Sequence, residues 1–179
     1  MSGSLRRGSY NTALLRTAVE MAPAGCEIEV VSIREIPLYD ADVDVQGQPP
    51  AVVALKEKIA AADGLLLATP EYNYSLPGVF KNAIDWLSRP AKDIPRVFGG
   101  RAVGIIGAGG VGGTRLAQAA WLPVFRGLQL VPFFAKEVFV VQAPKAFDAQ
   151  GKLTDDTVRT RLQDFMSAFA AFVAVNRRA

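Results

Sequence analysis

The chain has no histidine among its 179 residues. Hydrolysis assisted by an imidazole base and zinc held by imidazole are thereby excluded. A single cysteine, Cys26, leaves no internal disulfide and no thiolate cluster for a metal; it fits a reducing compartment and reads as a small semi-buried residue. Charge of neither sign dominates. The 20 basic and 17 acidic residues give +3, scattered along the chain, which argues against nucleic acid as a partner. No apolar run reaches the roughly 18 residues of a membrane span and no signal peptide is visible, so the expectation is a cytoplasmic chain without membrane insertion.

What is present is apolar, at 50% of the residues, and suffices for one globular domain spanning 1–179. Helical spacing of Leu14, Leu15, Ala18, Val19 and Ala22 predicts a helix over 11–22, closed by Pro23-Ala24-Gly25. EIEVVSI at 27–33 predicts a strand. A polar loop over 37–50 precedes a helix carrying Val52, Leu55, Ile59 and Ala62 on one face. GLLLAT at 64–69 and RAVGIIG at 101–107 are short continuous apolar runs, the pattern of strands covered on both faces. Between them a helix carries Phe80, Ile84 and Leu87 on one stripe; after them comes a helix from Thr114 that Pro123 is expected to weaken. LQLVPFFA predicts a further strand, and a last helix begins near Thr154 with Asp155 and Asp156 at its positive end. Strict alternation of this kind predicts an α/β protein with a doubly wound parallel sheet and helices on both faces. Ligands of such sheets bind at the carboxyl ends of the strands, here the loops 3–11, 70–77 and 107–113.

Each loop carries candidate binding residues. In GSLRRGSYN, Gly3 and Gly8 have P-loop spacing, but Ser9 stands where the lysine belongs, so a nucleoside triphosphate loop is rejected. The donors that remain suit one phosphate monoester: the side chains of Ser4, Ser9 and Asn11, the guanidinium of Arg6, and backbone N–H groups entering the helix. PEYNYS at 70–75 places two tyrosines around Asn73 directly after a buried strand, which offers a flat heteroaromatic ring a face to pack on and donors at its edge. Gly107, Gly109 and Gly112 satisfy the dinucleotide fingerprint G-x-G-x-x-G, so a Rossmann protein is a rival reading. Against it, the motif follows a late strand and no acidic residue ends a strand roughly 20 residues onward. The glycines are read instead as letting the backbone approach a ring edge.

GSLRRGSYN, LYDADV, TPEYNYSLPGVFKNAIDWLSRP and the glycine loop at 107–113 together resemble the NADPH-dependent FMN reductase family, in particular its quinone and chromate reductase branch. The resemblance implies a flavodoxin-like five-stranded parallel sheet, bound FMN, NADPH or NADH as reductant, a homodimer or homotetramer, and two-electron reduction of quinones, free flavin, chromate or similar small acceptors. Carried onto matching positions, Ser4, Arg6, Ser9 and Asn11 hold the FMN phosphate, and Pro70, Glu71, Tyr72, Asn73 and Tyr74 border the isoalloxazine. Where the branch has a serine-rich start, this chain has Gly107-Ala108, so contacts from that loop are expected from the backbone of Gly109 and Gly110. No catalytic acid or base is assigned; the flavin carries the chemistry, and Asp85, four residues from Lys81, reads as structural. The segment Trp121 to Phe125 is a candidate for oligomerisation. An electron-carrier flavodoxin and a flavin-free nucleotide-binding or regulatory module are the alternatives on the same fold, the former disfavoured by the +3 charge. One element is missing from the expected pattern. A flavodoxin-like sheet places its first strand between those at 27–33 and 64–69, and only Met1-Ser2 precede Gly3, so that strand is expected to be absent or truncated. The start is expected to be assigned downstream of the real one, or the beginning of the chain to be omitted from the numbering, ahead of a rearranged sheet in which another segment fills the gap.

Overall fold

The computed structural model describes residues 1–177. Its elements are α1 Tyr10–Glu20, α2 Ala41–Gln46, α3 Pro50–Ala61, β1 Gly64–Ala68, α4 Gly78–Leu87, α5 Ile94–Val97, β2 Ala102–Ala108, α6 Arg115–Gly127, β3 Val131–Pro132, β4 Val138–Val140, α7 Ala143–Ala146 and α8 Asp156–Val175. Every strand pairing is parallel. β1 lies along one side of β2, from Gly64 opposite Ala102 to Ala68 opposite Ile106. The other side of β2 takes two short segments, β3 against Ala102 and Val103 and β4 against Ile106 to Ala108. Among the described residues the sheet has four strands, and of the first of the five that the resemblance implies only a single parallel bridge remains, Ser2 to Ala68.

Two differences from the sequence reading have physical causes. The strand expected at 27–33 does not form: residues 27–32 make no backbone–backbone hydrogen bond among the described residues. The edge of β1 that faces away from β2 is taken by Met1 to Gly3. The Met1 amino group donates to Leu66 O at 2.6 Å, Ala68 N to Met1 O at 2.9 Å and Gly3 N to Ala68 O at 2.8 Å. Burial pushes that amino group down to about 5. This three-residue segment covers only the carboxyl half of β1, so 27–33 has no ladder partner, although Ile28 still touches one core and Val31 and Ile33 the other. The second difference is LQLVPFFA, which yields only Val131–Pro132. Val131 N and Phe133 N donate to Arg101 O and Val103 O, both at 2.9 Å, so the missing N–H of Pro132 falls on the outer edge, where proline is tolerated, and the edge of β2 is taken up again only at Val138.

Alternation along the strands divides the core into two layers, one on each face of the sheet. Ala102 and Ile106 of β2 and Ala68 of β1 face Leu14, Leu15 and Ala18 of α1 and Leu162, Phe165 and Phe169 of α8. Val103 of β2 and Leu65 and Leu67 of β1 face Leu55, Ile59, Phe80, Ile84, Trp121 and Phe125 of α3, α4 and α6. The helix α6 runs unbroken through Pro123. Trp121 and Phe125, both buried and stacked at 6.0 Å, hold it on either side of the lost hydrogen bond. Those two rings consequently point inward, and the outward apolar side chains of this helix are Leu116 and Leu122. Cys26 is exposed, not semi-buried. Lys81 and Asp85 form an ion pair at 2.5 Å, as their spacing allows.

Candidate functional site

The loop over 3–9 leads from the edge of β1 into α1, and its hydroxyls are arranged by the backbone. Ser9 caps α1, its Oγ accepting from Thr12 N at 3.2 Å, and Ser4 Oγ accepts from Arg6 N at 3.4 Å. Each hydroxyl keeps its own proton to donate. The first-turn N–H groups of Tyr10 and Asn11 have no acceptor among the described residues, as expected of a helix start. Arg6 is exposed, with its guanidinium 5.6 Å from the centre of the Tyr10 ring. This is a cationic, donor-rich opening at the positive end of a helix, suited to a phosphate.

Asn11 does something the sequence did not indicate. Its Nδ2 donates to Ala108 O at 2.8 Å and its Oδ1 accepts from Ala108 N at 2.9 Å, so the buried amide pins α1 to the end of β2. Arg34 is a second unanticipated neighbour, its guanidinium donating to Leu5 O. No local pattern marks it, because it reaches the loop from a turn 29 residues away.

The loop after β1 has a fixed root and an open tip. Thr69, fully buried, donates its hydroxyl to Pro70 O at 3.0 Å and accepts from Trp121 Nε1 at 3.1 Å. Glu71 Oε2 accepts from the N–H groups of Leu116 and Ala117 at 2.9 and 3.0 Å, so its carboxylate faces the start of α6. Tyr72 and Ser75 exchange backbone hydrogen bonds of 3.1 Å around Asn73 and Tyr74, whose φ values are +49° and +63°. A tyrosine in the left-handed region is unfavourable, and such strain concentrates at ligand-binding sites. It presents Tyr74 outward at 79% exposure, beside the half-exposed Tyr72.

In the third loop the glycines have two different reasons to be there. A Cβ on Gly107 would lie 2.1 Å from Thr114 Oγ1 and 2.6 Å from Thr69 O, and one on Gly109 would lie 2.2 Å from Gly113 O. Both are required by packing within the protein. A Cβ on Gly110 or Gly112 would meet nothing within 4 Å, so that side of the loop is open to a ligand, while Gly110 O is held by Gly113 N and Gln142 N at 3.2 and 2.8 Å. Gly109 N donates to Val140 O at 3.0 Å, whereas Gly110 is exposed. At the start of α6, Arg115 lies 4.0 Å from the centre of the Phe139 ring.

The parallel strands deliver all three loops to one end of the sheet, where they are tied together by Gly3 to Ala68, Asn11 to Ala108 and Glu71 to α6. No group of three or more acidic or cysteine side chains suited to a metal exists among the described residues.

Comparison with known proteins agrees with this geometry. The family model described as NADPH-dependent FMN reductase matches residues 1–145. The NAD(P)H-dependent FMN reductase of Pseudomonas aeruginosa is 47% identical over 174 residues, covering 97% of this chain and 92% of that protein. The NAD(P)H:quinone oxidoreductase of Solanum tuberosum is 41% identical over 96% of this chain and 89% of its own length. Among solved structures, the flavoenzyme NAD(P)H:(acceptor) oxidoreductase of Paracoccus denitrificans superposes with a TM-score of 0.88 at 33% identity, covering 99% of this chain and 97% of that one. With the family model spanning all three loops, and relatives matching almost end to end, the chain belongs to the NADPH-dependent FMN reductase family.

Proposed function

We propose that this protein, acting as one cytoplasmic domain within a homodimer or homotetramer, passes two electrons from NAD(P)H to quinones, with chromate and free flavin as further acceptors. Family membership makes it an FMN-dependent NAD(P)H oxidoreductase. The observation that carries the assignment of residues is the convergence of a donor-rich helix start, a strained tyrosine hairpin and open glycine backbone at one end of the sheet.

These residues fit FMN. The cationic opening at α1 matches a phosphate monoester, and the exposed tyrosines with the uncrowded Gly110 match a flat ring that needs close backbone approach. Ser4, Arg6 and Ser9 hold the phosphate, helped by the N–H groups of Tyr10 and Asn11. The Asn11 side chain serves by fixing α1 to β2. Pro70 to Tyr74, with Gly110, border the ring, whereas Gly109, its N–H donating to Val140 O and its C=O accepting from Ala143 N, serves by packing. Bound FMN supplies hydride chemistry, so that NAD(P)H, a quinone and one proton give NAD(P)⁺ and the hydroquinone. The chain's own contribution is orientation and exclusion of water by the tyrosine hairpin, and N–H donors aimed at charge that develops on the ring. The outward face of α6, where Leu122, Pro123, Arg126 and Gly127 line a shallow depression, is the surface assigned to subunit contact.

To test the reading, the purified protein is mixed with FMN, freed of unbound flavin by gel filtration, and then given NADPH and a quinone in turn without oxygen. Flavin bands should remain with the protein, bleach with NADPH and return with the quinone. Protein that emerges without flavin bands, or bound bands that NADPH leaves intact, would overturn the reading.

A further inference from the structure

We propose that Glu71 is a positioning residue that locks the two ring-bordering loops at one spacing, its carboxylate acting on the protein and not on the flavin; the importance of those loops rests on the function proposed above. The helix α6 begins without a cap of its own. Thr114 occupies the N-cap position, but its side chain accepts no backbone N–H, and its hydroxyl is engaged instead by Gln118 Nε2 at 3.1 Å. The orphan donors at the second and third helical positions, Leu116 and Ala117, go to Glu71 Oε2, 45 and 46 residues away in the chain. A carboxylate at the positive end of a helix is favourable, and a charge-assisted hydrogen bond is stronger than a neutral one.

The same loop meets α6 a second time. Trp121 Nε1, in the second turn, donates to Thr69 Oγ1, which donates on to Pro70 O. Two attachments to one helix, at its first and second turns, prevent the root of the 70–75 loop from pivoting about either one. The glycine loop runs directly into the start of that helix, so Glu71 sets the separation of both loops at once. The hairpin above it also needs a held root. Asn73 and Tyr74 are consecutive non-glycine residues in the left-handed region, a conformation that persists only where the surroundings over-determine it.

Amide hydrogen exchange on the protein without FMN reads the coupling directly. In Glu71→Ala, exchange should rise about tenfold at Leu116 and Ala117, the size of a lost helix cap, and should rise also at Tyr72 and Ser75 across the loop. FMN should dissociate about tenfold more readily from this variant. Glu71→Gln retains an oxygen acceptor for both N–H groups and should recover most of the exchange protection and most of the FMN affinity. Faster exchange confined to Leu116 and Ala117, with FMN affinity unchanged, would reduce Glu71 to a helix cap and overturn the proposal. Glu71→Gln with native exchange but FMN binding as poor as in Glu71→Ala would overturn it in favour of a charge acting on the flavin. If the unaltered protein failed to bind FMN, the proposed function would fall, while the exchange at Tyr72 and Ser75 would still decide the coupling.

Discussion

Two alanine substitutions three residues apart in the glycine loop should have opposite consequences. Gly107→Ala places a methyl group 2.1 Å from Thr114 Oγ1 and 2.6 Å from Thr69 O. The threonine hydroxyl can rotate away. The Thr69 carbonyl is backbone at the end of the β1 ladder, between Ala68 and the buried Pro70, and cannot yield without moving the root of the tyrosine loop. Overpacking of this kind costs about 1–3 kcal/mol. Loss of glycine freedom in the unfolded chain returns about 0.5 kcal/mol. The net expectation is a loss of about 1.5 kcal/mol, which for a chain of this length lowers the melting temperature by about 3–6 °C. Gly110→Ala meets nothing within 4 Å and its φ is not positive, so stability without FMN should change by less than about 0.5 kcal/mol. FMN affinity should nevertheless fall in Gly110→Ala, because its open backbone is assigned to the ring edge. Urea unfolding and calorimetry of both variants, with FMN titrations beside them, provide the comparison. Equal stability for the two would refute the division of the glycines into packing and ligand roles.

Arg6→Ala should weaken FMN binding about 10- to 100-fold, the weight of a charge-assisted bond to phosphate, with the melting temperature of the FMN-free protein unchanged because Arg6 is exposed; unchanged affinity would remove Arg6 from the site. Asn11→Leu loses both bonds to Ala108 and leaves that residue's buried N–H and C=O unpaired, so a destabilisation of about 3 kcal/mol by urea unfolding is expected. Lys56, buried on Gln48 Oε1, Arg89 O and Asp93 Oδ2, should cost about 2 kcal/mol as Lys56→Met, less than a fully buried pair because Asp93 is 24% exposed. The Lys56 hydrogen bond holds the Asp93 carboxyl below the usual carboxylate range. Between its lowered folded value and its ordinary unfolded value the folded state binds fewer protons, so this contribution is complete above about pH 4 and is lost as pH falls further. Acid unfolding profiles should show that limb flattened in Lys56→Met; an unchanged limb would place the source of the shift elsewhere.

Much of this protein was legible from the order of its residues alone. Short continuous apolar runs at 64–69 and 101–107, alternating with amphipathic helices, match strands of a parallel sheet covered on both faces, and that is where β1 and β2 lie. Local chemistry was equally readable: Lys81 and Asp85 pair at helical spacing, and Asp155 at the start of α8 accepts from Val158 N at 3.0 Å. These features depend on neighbours within about one helical turn, which the sequence specifies by spacing. Family likeness was carried by the run from Thr69 to Arg89.

Tertiary structure decided what each polar residue is bonded to. Asn11 in a phosphate-binding loop and Asn11 bridging to a strand 97 residues on have the same local sequence, as do Glu71 beside a ring and Glu71 on the first turn of α6. It also decided that 27–33, a strand by composition, stays out of the sheet. A strand is stabilised by the ladder partner beside it, and the only segment alongside β1 on that edge is Met1 to Gly3 among the described residues. Periodicity encodes which face of an element is buried, but the identity of a hydrogen-bond partner is set by the path of the whole chain, because a donor is satisfied by whatever acceptor the fold brings within 3 Å or so of it.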